Sequence, residues 1–323
     1  MTASTYHPSG RVPRAGLHSL GMAGLAVVGS ALVYAWLMAY ARPAVGADAG
    51  LLLTLFALLG VGISMYVFAH HAATAGKIRN PAWMGRAGAV LGLLAWYVQW
   101  AAYIVMDGIR ASGDGLGFPA LEFIARLCLR PSAMFDWAFT SPLIDKSVFT
   151  QCGLVLCWLV EFCVHVVPPM LAGRKCAGMP FCEASVQWAQ VVEVENDFEP
   201  FADPEAAQRL LETEPGRFAA MLVPRAEDAA GSHTRVTLYV CGGPESFITI
   251  SHCEQKAVEN MPLPPEVVGA MAAGASEVEC YWEQPIVELL RVPLPDSAAL
   301  LRRWSGASET EAKRQPGPVI AKM

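Results

Sequence analysis

The hydrophobic pattern changes character near residue 172. Before that point apolar residues come in long unbroken runs; after it they alternate, or recur at helical spacing, among charged residues. Four runs approach the roughly 20 apolar residues that a membrane-spanning helix needs. They cover residues 18–41, 49–70 (AGLLLTLFALLGVGISMYVFAH), 84–106 and 147–172 (SVFTQCGLVLCWLVEFCVHVVPPMLA). The first run is too long for a signal-peptide core, although the small residues Ala44 to Ala47 resemble a cleavage site. Tyr34, Trp36 and Tyr40 gather at its far end, as interfacial aromatics do. Small residues recur four apart at Gly60/Ser64 and Gly88/Gly92 and predict close approach of helix backbones.

The connection 107–146 is long for a loop. Pro119 and Pro131 sit where helices start, and Leu121, Ile124, Ala125 and Cys128 keep helical spacing. The segment reads as short amphipathic helices on the outer bilayer surface.

Beyond residue 175 the pattern shortens to that of a water-soluble domain. ASVQWAQVVEVE (184–195) alternates like a strand. TRVTLYVC (234–241) and SFITISHC (246–253) flank GGPE and predict a hairpin pairing Cys241 with Ser246 and Cys253 with Thr234. That register puts Val236, Leu238, Val240 and Phe247 on one face and Tyr239, Ile248 and Ile250 on the other. Asp203 followed by Pro204 reads as a helix N-cap and first turn, and a second short helix follows Gly216. Residues 266–274 and 296–304 also read as helices, 277–294 as one or two strands interrupted at Pro285, and 306–323 as a disordered polar tail.

The predicted fold is therefore an α-helical membrane bundle of four transmembrane helices followed by a small cytosolic α+β domain. Its expected divisions are a flexible N-terminal tail (1–17), the bundle (18–175), the α+β domain (176–305) and the C-terminal tail.

Charge sharpens this division. Residues 1–175 carry 12 Lys/Arg against 7 Asp/Glu, and the remainder 11 against 22. An acidic soluble half excludes the basic face that nucleic-acid binding requires. With both ends inside, the inner segments carry Arg11, Arg14, Lys77, Arg79, Arg86, Arg174 and Lys175, and the outer ones Arg42, Arg110, Arg126, Arg130 and Lys146. The excess favours a multi-pass plasma-membrane protein with cytoplasmic N-terminus and C-terminal domain. Nine cysteines at irregular spacing read as reduced thiols, in keeping with that compartment.

Candidate chemistry centres on the fourth run. Glu161 and His165 are four apart and share one helix face, and an ionisable residue inside a span is a functional hypothesis by default. His70 and His71 end the second run on the same side and Gln99 lies in the third, so a His/Glu/His cluster that relays a proton or binds a transition metal is one expectation; a Glu161–His165 packing pair is the other. Cys176 and Cys182 are weak zinc candidates because neither belongs to a paired C-x-x-C knuckle. No G-x-S-x-G, P-loop, G-x-G-x-x-G or H-E-x-x-H occurs.

The leading expectation is a membrane-anchored interaction or regulatory subunit, in contact with lipid and with a protein partner or further copies of itself, and with no cofactor. The alternative is a proton- or metal-handling protein, or a membrane enzyme, built on Glu161 and His165 with His70 and His71.

Overall fold

The computed structural model describes residues 5–113, 117–140, 148–194, 197–225, 231–241, 245–255 and 281–293. The chain forms two compact units: a helical one, Pro8–Met179, and a sheet unit joining Met1–His7 to Pro180–Met323. The expected helices at 266–274 and 296–304, the tail 306–323 and Cys280 lie outside the described residues.

In the helical unit α1 (Arg14–Trp36) runs through a π-helical segment, Leu37–Ala41, into the short α2 (Arg42–Ala44). Then come α3 (Ala47–Ala75), α4 (Pro81–Ser112), α5 (Phe118–Cys128), α6 (Pro131–Thr140) and α7 (Val148–Gly178). Among the described residues four helical stretches are long and apolar enough to cross a membrane: 14–44, 47–75, 81–112 and 155–178. The first three outrun their apolar stretches at both ends, and α7 runs past residue 172 to Gly178, because helical hydrogen bonding continues into the polar flanks. Outward side chains such as Leu55, Phe56, Leu59, Ile63, Val90, Leu156 and Leu159 are apolar and exposed, the arrangement a lipid-facing surface requires. Thr54, Ser64 and Thr74 return their hydroxyls to carbonyls of their own helix, at Gly50, Gly60 and His70, which satisfies them without water.

Close packing centres on α7. Pro168 and Pro169 lie inside this helix and supply no N–H to the carbonyls of Val164 and His165 one turn earlier. Those two residues are met by glycines of neighbouring helices. A Cβ on Gly62 would stand 3.0 Å from Val164 Cγ1, and one on Gly92 would collide with the His165 carbonyl oxygen. Gly88 meets the Pro169 backbone in the same way. The Gly88/Gly92 expectation thus corresponds to a real backbone contact. The Gly60/Ser64 expectation does not: nothing lies within 4 Å of a Cβ at Gly60, and Gly62 makes the approach instead.

Pro119 and Pro131 stand at the starts of α5 and α6. Ala120 and Ile124 are the buried positions of α5, whereas Leu121 and Phe123 are exposed.

The sheet unit starts with a small ribbon, β1 (Phe181–Cys182) with β2 (Gln187–Trp188). Strands β3 (Gln190–Glu193), β4 (His233–Val240), β5 (Glu245–Gln255) and β6 (Tyr281–Pro293) form an antiparallel sheet in the order β3-β4-β5-β6. Helices α8 (Pro204–Thr213) and α9 (Pro215–Met221) lie between β3 and β4 in sequence. Asp203 caps α8 by accepting a hydrogen bond from Ala206 N at 3.0 Å.

The β4–β5 register differs by one residue from the expected one: Val240 faces Ser246 and His233 faces Cys253. A one-residue shift exchanges the faces. Val236, Leu238, Ile248 and Ile250 now share the core with Ala207, Leu211, Phe218 and Leu222, while Tyr239 and Phe247 lie on the opposite face. Cys241, expected opposite Ser246, lies just beyond the ladder and forms a disulfide with Cys182. The expectation that these cysteines are reduced is corrected by that bond.

β6 passes Pro285 without a break, and the irregular pairing near Ile250/Ser251 accommodates it. A second irregularity leaves Glu288 and Leu289 opposite Thr249 alone. There the Leu289 N–H donates to Thr249 Oγ1 at 3.1 Å, and its carbonyl accepts from Tyr6 N at 2.8 Å. Residues Thr5 and Tyr6 therefore pair with the outer edge of β6, whereas the sequence alone reads as a free tail there.

Candidate functional site

Glu161 lies 13 residues into the 31-residue α7, about 20 Å from its start at 1.5 Å per residue. The helix continues past both prolines to Gly178, so the carboxyl group is close to mid-span. It accepts hydrogen bonds from the Tyr34 hydroxyl at 3.2 Å and from Gln99 Nε2 at 3.3 Å, one on each oxygen. Tyr34 comes from α1 and Gln99 from α4, so three helices converge on one carboxyl group. Tyr34 and Gln99 are 1% and 2% exposed. Both partners are neutral. Arg42, where the π-helical segment gives way to α2, acts on the carboxyl group only from a distance.

His165, one turn further along α7, is fully buried. Its Nδ1 lies 2.7 Å from the Glu161 carbonyl oxygen. Only a protonated Nδ1 can make that bond, so the neutral ring keeps its bare lone pair on Nε2. His165 Nε2 and Gln99 Oε1 are buried acceptors without a partner among the described residues. The Tyr34 ring meets the imidazole edge-on at 6.2 Å. Glu161 and His165 thus share a face as expected, but their side chains do not pair: one addresses Tyr34 and Gln99, the other the backbone.

The expected joining of this pair to His70 and His71 is not what the structure shows. His70 Nδ1 lies 2.8 Å from Cys176 Sγ, and its ring stacks on Tyr66. Cys176 is 15 residues beyond Glu161 on α7, about 22 Å along the helix. His71 is exposed beside it. Cys176 and Cys182, the weak zinc candidates, are not brought together as a pair. Cys182 is committed to the disulfide and Cys176 to His70. Among the described residues no three His, Cys, Asp or Glu groups converge as metal ligands.

Tyr34 is the site residue that the sequence pattern assigns elsewhere, to an interfacial aromatic belt. A signal for its true position exists. Ala23, Val27, Ala31 and Tyr34 follow one another at helical spacing, and all four are buried. A stripe of small residues leading to one tyrosine marks an inward face.

Aromatic side chains of α4 and α7 pack against one another in the same two helices that supply Gln99 and Glu161. Trp100 packs edge-on against Trp158 at 5.2 Å and Tyr103 at 5.6 Å, and Trp96 packs against Phe162 at 5.6 Å.

Comparison with known proteins finds no family model, no curated sequence and no solved structure that this chain matches.

Proposed function

We propose that this chain is a membrane-anchored subunit whose helical bundle holds an exchangeable proton on Glu161. The observation that carries this reading is the carboxyl group near the middle of α7, met by the neutral side chains of Tyr34 and Gln99 and, among the described residues, by no cation in contact. An ionisable residue inside a span is a functional hypothesis by default, and carboxyl groups in such positions form the proton relays of pumps and transporters. His165 Nε2 and Gln99 Oε1 add two buried acceptors without a partner among the described residues. A π-helical segment one turn beyond Tyr34 fits as well, since such distortions gather at functional sites. The proton reading is favoured over the metal one because the carboxylate and imidazole of Glu161 and His165 point to different partners.

The sheet unit has a hydrophobic core of its own. That supports the wider reading of an interaction or regulatory subunit, in which this unit engages a partner and the bundle senses or passes the proton.

The test is pH-difference infrared spectroscopy of the purified full-length protein in lipid. A protonated-carboxyl carbonyl band that titrates is expected, and it should vanish in Glu161→Gln while the helical amide signal is unchanged. Absence of the band, or its survival in the variant, defeats the proposal.

A further inference from the structure

The Cys182–Cys241 bridge says which side of the membrane the sheet unit occupies. We propose that this unit, together with the N-terminus, faces the oxidising, non-cytosolic side. The bridge is built into the fold rather than attached to its surface. It links β1 to the residue after β4 across a sequence separation of 59, with the Cα atoms 5.7 Å apart, within the usual span of native disulfides. Both cysteines are 3% exposed and pack against Phe247, Tyr6, Ala189 and Tyr239. Cys241 stands just outside the central hairpin ladder, which ends with Val240 opposite Ser246. Cys253, the other described cysteine of this unit, faces His233 at the opposite end of the hairpin and offers no competing partner.

Structural disulfides persist in oxidising compartments and are rare where thiols are kept reduced. The bridge forms when the two thiols lose two protons and two electrons to an oxidised dithiol protein by thiol–disulfide exchange. The sulfur–sulfur bond passes to Cys182 and Cys241, and the donor is left with two thiols.

The N-terminus shares this compartment for an independent reason. Thr5 and Tyr6 pair with β6 of the sheet unit, and the four candidate spans return the chain to its starting side. The opposing argument is the small excess of Lys/Arg in segments on the N-terminal side, seven residues against five. That rule expresses a bias in insertion, whereas the disulfide is a covalent bond with a chemical requirement.

The test uses the full chain in cells. Cells are quenched in acid, free thiols are blocked, and the sample is reduced and labelled with a polyethylene-glycol maleimide. In parallel, alkaline phosphatase is fused to the C-terminus. The expected result is a gel shift of two labels that is absent without reductant and lost in Cys182→Ser and in Cys241→Ser, together with an active phosphatase. A fusion present by immunoblot but inactive, or a sample lacking the two-label shift, overturns the assignment.

Discussion

At the residue scale, glycines and one histidine show how much depends on what stands opposite a side chain. Gly92 has the His165 carbonyl where a Cβ would go, while Gly60 has open space. Gly92→Ala is expected to lose about 1–3 kcal/mol, at the upper end because backbone rather than a side-chain tip is in the way. Gly60→Ala is expected to gain about 0.5–1 kcal/mol by restricting the unfolded chain and favouring the helix. Thermal unfolding of the two variants in the same detergent reads both signs. His233 gives a pH dependence in the sheet unit. Burial pushes its pKa down from 6.5; Asp197, with Oδ2 3.4 Å from Nε2, opposes this, and Arg235 and Arg225 reinforce it. The unfolded chain therefore binds the proton more readily than the fold does. Stability is full above about pH 6.5 and falls as pH drops through that value toward the lower folded pKa. Denaturant titrations from neutral to acid pH should show the loss, and His233→Gln should flatten it.

At the element scale, α8 and α7 show two ways in which a helix is fixed. α8 is set locally: Asp203 satisfies Ala206 N, and Pro204 supplies the first turn. Asp203→Ala should cost about 1 kcal/mol, measurable as a lower midpoint for the sheet unit with an unchanged denaturant slope. α7 is set by its neighbours. Its two interior prolines leave the carbonyls of Val164 and His165 without helix partners, and Gly62 and Gly92 bring α3 and α4 against that turn. The same close approach lets a side chain as short as Gln99 reach Glu161 from α4.

At the scale of the whole molecule, each unit carries its own core, and each has one feature that its hydrophobic pattern does not announce. In the helical unit it is the carboxyl group shared by three helices; in the sheet unit it is the covalent bridge. Closing a loop across a separation of 59 residues restricts the unfolded chain by about 4 kcal/mol in the loop-entropy account. Reduction, or Cys241→Ser, should lower the stability of the sheet unit by about that amount and leave the melting of the bundle unmoved. Circular dichroism with and without reductant separates the two transitions.

The sequence by itself determined the four apolar helices, the proline-led starts of α5 and α6, the Asp203 cap and the central hairpin. Run length, caps and period act over a few neighbouring residues and can be read from them. The tertiary structure alone decided that Tyr34 faces Glu161, that His70 belongs to Cys176 some 22 Å along α7, and that Gly62 rather than Gly60 meets α7. It alone decided the hairpin register. Helix rotation and strand register follow from contacts between segments far apart in sequence. In the hairpin the ladder ends at Val240 opposite Ser246, one residue away from the pairing the local pattern implies, which exchanges the faces of the strand pair and leaves Cys241 to bond Cys182.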